Sequence, residues 1–136
     1  MKDRMRWDCE KKGCYREKCC PKLSEFDSCF PKRIAMGDVD GIVEIGSQFL
    51  MLEWKGNGGS LKRGQEIMYE NLTRTCPFLV YVVHGNAETM EVEGFERFWS
   101  GVKSEFVATD LDSLKVLIRH WVVYAVKMKQ AGLWTT

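Results

Sequence analysis

Asp40, Glu53 and Lys55 are the residues of this chain whose types and spacing suit hydrolytic chemistry. They lie in the stretch Gly37 to Gly56, which reads as a hairpin of two strands, Val39 to Ile45 and Gln48 to Lys55, turning at Gly46-Ser47. Glycine first in a two-residue loop suggests a type II′ turn, whose twist matches the flanking strands. That turn sets the register. Ile45 then faces Gln48, Val43 faces Leu50, Asp40 faces Glu53 and Asp38 faces Lys55. Side chains alternate across a strand, so Val39, Val43, Ile45, Leu50, Leu52 and Trp54 are expected on a core face. Asp38, Asp40, Glu53 and Lys55 share the other face, with Ile42, Phe49 and Met51 nearer the turn. An Asp38–Lys55 salt bridge would account for one pair. It does not account for Asp40 opposite Glu53, because like charges directly across a ladder are destabilising. A divalent cation between the two carboxylates reverses that sign.

Phosphodiester hydrolysis needs an activated water and relief of charge on the phosphate oxygens. A Mg²⁺ or Mn²⁺ ion bound by one or two carboxylates supplies both. Asp40 and Glu53 are the expected carboxylate ligands, and Lys55 is expected to orient the water. Asp38 is expected to support Lys55 from behind. The competing reading is a plain salt-bridged strand face.

The order Asp40, then Glu53-Trp54-Lys55 on a hydrophobic strand, resembles the core of the PD-(D/E)xK nuclease superfamily. Downstream, Gln65-Glu-Ile-Met-Tyr69 resembles the Gln-x-x-x-Tyr motif of its RecB-like branch, which also suggests small nucleases of the Holliday-junction-resolvase kind. The resemblance spans roughly Met36 to Tyr124. It implies a restriction-endonuclease-like α/β (α+β) fold, a mixed sheet flanked by helices. It also implies the Trp54 backbone carbonyl as a third metal ligand, and roles for Gln65 and Tyr69 in positioning the site and the substrate strand. An additional glutamate from an N-terminal helix is common in the family. Glu10, Glu17 and Glu25 are the candidates, with no choice among them.

Residues 1–33 form a basic, cysteine-dense segment, expected to pack on a nuclease core of residues 34–136. The segment carries ten Lys/Arg and six Asp/Glu, whereas the remainder carries ten and thirteen. A basic segment beside an acidic metal site suits a DNA-acting enzyme; the alternative is a solvated surface. Cys9, Cys14, Cys19, Cys20 and Cys29 cluster there. Cys9, Cys14, one of the adjacent pair and Cys29 have spacing suited to a structural Zn²⁺. An iron–sulfur cluster and free thiols remain the alternatives. Cys76 is expected in the core.

The remaining elements follow from pattern. Leu23 to Phe30 is read as a helical turn. Ser60 is read as the N-cap of a helix to about Thr75, with Leu61, Gln65, Met68, Tyr69 and Leu72 on one face. Phe78 to His84 is nearly all apolar and reads as a buried central strand. Gly85-Asn86 turns it. Thr89 to Trp99 reads as one or two edge strands broken at Gly94. Asp110 or Asp112 caps a last helix to Gln130, with Leu114, Leu117, Ile118, Trp121, Val122 and Ala125 inward and Gly132 ending it. His84 and His120 are read as structural.

The chain of 136 residues with 45% hydrophobic content suits one domain with a core. No apolar run is long enough to span a bilayer, and the charged start lacks a signal peptide's apolar stretch. The expectation is an intracellular, cytoplasmic DNA nuclease of phage or mobile-element type, with no membrane partner. A homodimer is expected where two strands are cut. Two other classes stay open: a nucleic-acid-binding or inhibitory protein without turnover, and a zinc-stabilised interaction module.

Overall fold

The computed structural model describes residues 21–56 and 58–132. The chain divides into two compact units, Met1–Asp38 and Val39–Thr136. In the first, a 3-10 helix spans Leu23–Cys29, and its residues are exposed or half-buried. The expected cysteine site falls mainly on Cys9, Cys14, Cys19 and Cys20, which lie outside the described residues, as do Glu10 and Glu17.

The second unit is a mixed α/β fold built on one six-stranded sheet. Its elements are β1 (Gly41–Ile45), β2 (Gln48–Lys55), α1 (Arg63–Thr75), β3 (Phe78–Asn86), β4 (Glu91–Trp99), β5 (Val102–Lys103), β6 (Val107–Ala108) and α2 (Leu111–Gln130). The sheet order is β1-β2-β3-β4-β5, with β6 also paired to β4. β2 and β3 run parallel, joined through α1; the other pairings are antiparallel.

The hairpin has the expected register, Gly41 with Leu52 through Ile45 with Gln48. Its turn differs. Gly46 and Ser47 both have positive φ, 54° and 69°, which is type I′ rather than II′. The Glu44 carboxylate accepts the Ser47 N–H at 2.9 Å, and at the other turn residue Lys129 of α2 packs so close to Gly46 that a Cβ would meet it at 2.5 Å.

The two sheet faces carry separate cores. On one, Leu50, Leu79, Tyr81, Val83, Val92 and Phe95 pack with Leu114, Trp121 and Ala125 of α2. On the other, Met51, Val80, Val82 and Phe98 pack with Tyr69 of α1. Met51 is therefore core. Val39 and Val43, expected inside, are exposed: Val39 precedes β1, and Val43 lies on it at the sheet edge. Met68 and Val122 are exposed for a related reason: each lies at the margin of its helix's apolar stripe. Cys76 is also exposed, at the end of α1.

α1 begins at Arg63, not at a Ser60 cap. Lys62 is the N-cap, and its backbone N–H donates to Gln65 Oε1 at 3.3 Å. α2 is capped by Asp110, which accepts from Ser113 N–H at 2.8 Å. Hydrogen bonds from Ser113 hold the Asp110 carboxyl below its ordinary value. The cap therefore favours the helix in its ionised form and weakens as pH falls through the acid range. Gly132 ends the helix with φ 69°. Among the described residues, no helix is long and apolar enough to cross a membrane.

β3 is central, as expected, but runs on through a bulge at His84/Gly85 to Asn86. β4 is neither broken nor an edge. Gly94 sits inside it, paired with His84 on one side and Ala108 on the other. A Cβ at Gly94 would meet Phe106 Cζ at 2.2 Å and the Val107 carbonyl at 2.5 Å. The glycine therefore permits the close approach of the 106–107 segment. Gly94→Ala should push that segment away and cost about 1–3 kcal/mol, the usual range for overpacking, measured by urea unfolding against the unaltered chain.

Candidate metal and phosphate site

Glu53 and Lys55 are two residues apart on β2, so the pleat puts them on one face. That face is the one α1 covers, since Met51, two residues earlier, packs on Tyr69. The Lys55 ammonium lies 3.6 Å from Glu53 Oε1, and both side chains are largely buried, at 19% and 14% exposure. A buried carboxylate is stable only when partners replace its water. Tyr69 supplies one: its hydroxyl donates to Glu53 Oε2 at 3.2 Å. Lys55 Nζ in turn donates to Gln65 Oε1 at 3.0 Å.

The helix explains why Gln65 and Tyr69 arrive together. Four residues apart, they lie on one face of α1. Gln65 stands in the first turn, where its carbonyl oxygen serves both Lys62 N–H and Lys55. Tyr69 is 2% exposed, with its ring edge-on to Phe98 at 5.4 Å. Thr73, one turn on, is buried and accepts the Gly101 N–H at 3.0 Å. Only the four-residue spacing from Tyr69 points to that anchor in the sequence.

Asp40 immediately precedes β1. Continuing the ladder one step past Gly41–Leu52 sets it across from Glu53. Its Oδ2 accepts the Trp54 N–H at 2.6 Å, so the carboxylate lies against β2 between Glu53 and Lys55. The Trp54 indole donates to the Gly85 carbonyl at 3.1 Å, which fixes the residue whose backbone carbonyl was expected to be a ligand. Asp38, expected to support Lys55, is exposed and is the last residue of the first unit. Glu25 lies in the 3-10 helix of that unit, and Cys29 is exposed at its end.

His84, expected to be structural, has a side-chain partner and lies beside these groups. It pairs in register with Lys55 across the parallel β2–β3 ladder. Its Nε2 is 2.5 Å from Glu96 Oε2, and Phe106 covers the ring edge-on at 5.6 Å. The signal for this pair is the register alone.

Among the described residues, no group of three or more His, Cys, Asp or Glu side chains forms a metal site. The carboxylates beside β2 are Asp40, on the Trp54 N–H, and Glu53, beside Lys55. Hard oxygen donors of that kind suit Mg²⁺, which keeps several waters and needs only one or two carboxylates. The formal charge of Asp40, Glu53 and Lys55 together is negative, which also favours a cation.

Tyr69→Phe removes one hydrogen bond to a largely buried carboxylate and keeps the ring. It should lower stability by about 1.5–3 kcal/mol, read by chemical denaturation; no change would mean that Glu53 does not depend on it. No family model matches this chain, and no curated protein or solved structure matches it.

Proposed function

We propose that this protein is a metal-dependent nuclease that hydrolyses phosphodiester bonds in DNA, with a restriction-endonuclease-like core. The single observation that carries the reading is the linked set Glu53–Lys55–Gln65, with Tyr69 on Glu53 and Asp40 on the next backbone position. The residues joined are those through which the chain resembles the PD-(D/E)xK superfamily. Each half of the resemblance, the hairpin and the helix motif, touches the other.

In this reading Asp40, Glu53 and the Trp54 carbonyl hold Mg²⁺ or Mn²⁺. The ion's contribution is to polarise a phosphate oxygen and lower the pKa of water. Lys55 donates to the attacking water or to a non-bridging phosphate oxygen. Gln65 fixes the ammonium's direction, and Tyr69 fixes the rotamer of Glu53. A homodimer acting on two strands belongs to the same proposal, as does zinc in the N-terminal cysteine segment.

A second reading has one observation in its favour. Asp40 Oδ2 is already engaged by the Trp54 N–H, which is enough to staple the open end of the hairpin without any ion. A nucleic-acid-binding or inhibitory protein without turnover would use the same face passively.

Cleavage of labelled single-stranded, duplex and branched DNA separates the two. With Mg²⁺, the unaltered chain should cut at least one substrate, and EDTA should stop it. Lys55→Ala should bind DNA with modest loss, since one phosphate contact among many is removed. Its single-turnover cleavage should fall by about 100-fold or more. Asp40→Ala should abolish cleavage. Full cleavage by Lys55→Ala would overturn the role given to Lys55, and no cleavage by the unaltered chain with either metal would favour the binding protein.

A further inference from the structure

The opposite face of the sheet holds a second feature. Tyr81 belongs to the α2-side core, and Arg97 pairs with it in register across β3–β4, so both point away from Glu53 and Lys55. There β3, β4 and α2 bound a cleft of about 430 Å³. This is the size of a site for a small molecule. Tyr81 and Trp121 are buried in it, whereas Arg97, Trp99 and His120 are exposed around it, and Tyr124 is half-buried.

Three observations say what chemistry the cleft offers. Trp121 lines it at 5% exposure, and its indole Nε1 is shielded from solvent, with no hydrogen-bond partner among the described residues. The indole N–H is therefore a reporter of what sits against the ring rather than a contact of its own. Arg97 has no carboxylate within ion-pairing distance among the described residues. It stands instead across the ladder from Tyr81, whose phenol burial pushes up despite the nearby positive charge. The cleft thus offers a cation and a neutral hydroxyl. Finally, Trp99 and Tyr124 meet edge-to-face at 6.2 Å and 85°, which leaves aromatic surface beside that cation.

We propose that this cleft binds a small planar aromatic anion, its ring against the Trp99, Trp121 and Tyr124 side chains and its acidic group on Arg97. Guanidinium matches carboxylate and phosphate geometry in a way that a single ammonium does not. Aromatic walls favour a planar ring over an aliphatic acid of equal charge. His120 at the rim is the second group that would face the anion. The ligand's source is either a nucleotide or an aromatic carboxylic acid; the chemistry recognised is the same. The proposal does not depend on the nuclease reading, because the two sites occupy opposite faces of the sheet.

The test is an NMR titration of the ¹⁵N-labelled chain with adenosine 5′-monophosphate and, separately, with 4-hydroxybenzoate, both with EDTA present. At least one should shift the Trp121 indole N–H resonance saturably, while the Gln65 side-chain amide stays in place. A response to the nucleotide alone identifies a nucleotide site; a response to the benzoate alone identifies an aromatic-acid site. Uncharged adenosine should bind at least tenfold more weakly than its monophosphate if the nucleotide is the ligand. Arg97→Gln should weaken the responding probe by about tenfold or more, on the scale of one charge-assisted hydrogen bond. Arg97→Lys, which keeps the charge, should weaken it less, and serves alone should Arg97→Gln fail to fold. No saturable shift at Trp121 with either probe, or binding that survives both substitutions unchanged, would overturn the proposal.

Discussion

A carboxylate at 14% exposure, Glu53 on a strand facing a helix, is the constraint around which this sheet face is arranged. Its charge is tolerable only while partners stand in for water. One partner comes from its own strand, Lys55, and one from α1, Tyr69. Neither is free to move. Lys55 is held by Gln65, and Tyr69 is buried against Phe98. The helix must therefore dock in one rotational setting, with Gln65 and Tyr69 both turned to β2. Removing any one of the four would leave a charge or a donor with less than it needs, so the polar set makes the helix position specific where apolar packing alone would be more permissive.

The two faces of the sheet divide the chemistry. Beneath α1 the polar groups are Glu53, Lys55, Gln65 and Tyr69, linked to one another. On the α2 side Arg97 and His120 stand among aromatic side chains around the cleft. β3 separates the two, with Val80 and Val82 facing one side and Tyr81 and Val83 the other, all buried. Because side chains alternate strictly along that strand, neither face can alter its register without altering the other.

Much of this was legible in the sequence where a local rule had no rival. The two-residue turn set the hairpin register, so Asp40 met β2 at the expected step. The four-residue spacing put Gln65 and Tyr69 on one helix face, and both contact the expected strand. The failures came where a distant part of the chain decided. Ser47 takes a left-handed conformation that its own preferences disfavour, with its N–H on the Glu44 carboxylate and Lys129 of α2 packed against Gly46. Gly94 looked like a break, whereas it makes room for Phe106. Val39 and Val43 alternate as core residues should, but β1 begins only at Gly41 and lies at the sheet edge, and both valines are exposed. The short strands β5 and β6 have no periodicity to read at two residues each.

The parallel pairing of β2 with β3 has a kinetic consequence. The hairpin can close on its own turn, but Lys55 meets His84, and Phe49 meets Phe78, only after the intervening chain has folded back through α1. Loop-closure entropy must be met before such non-local contacts are rewarded. The strand bearing Glu53 and Lys55 thus acquires its second neighbour, and its helix cover, in one late event. Until then both charged side chains remain hydrated on a two-stranded ribbon, and such a ribbon is marginally stable by itself. Assembly of the acidic site and completion of the sheet are therefore a single cooperative step, and amide exchange along β2 should report both together.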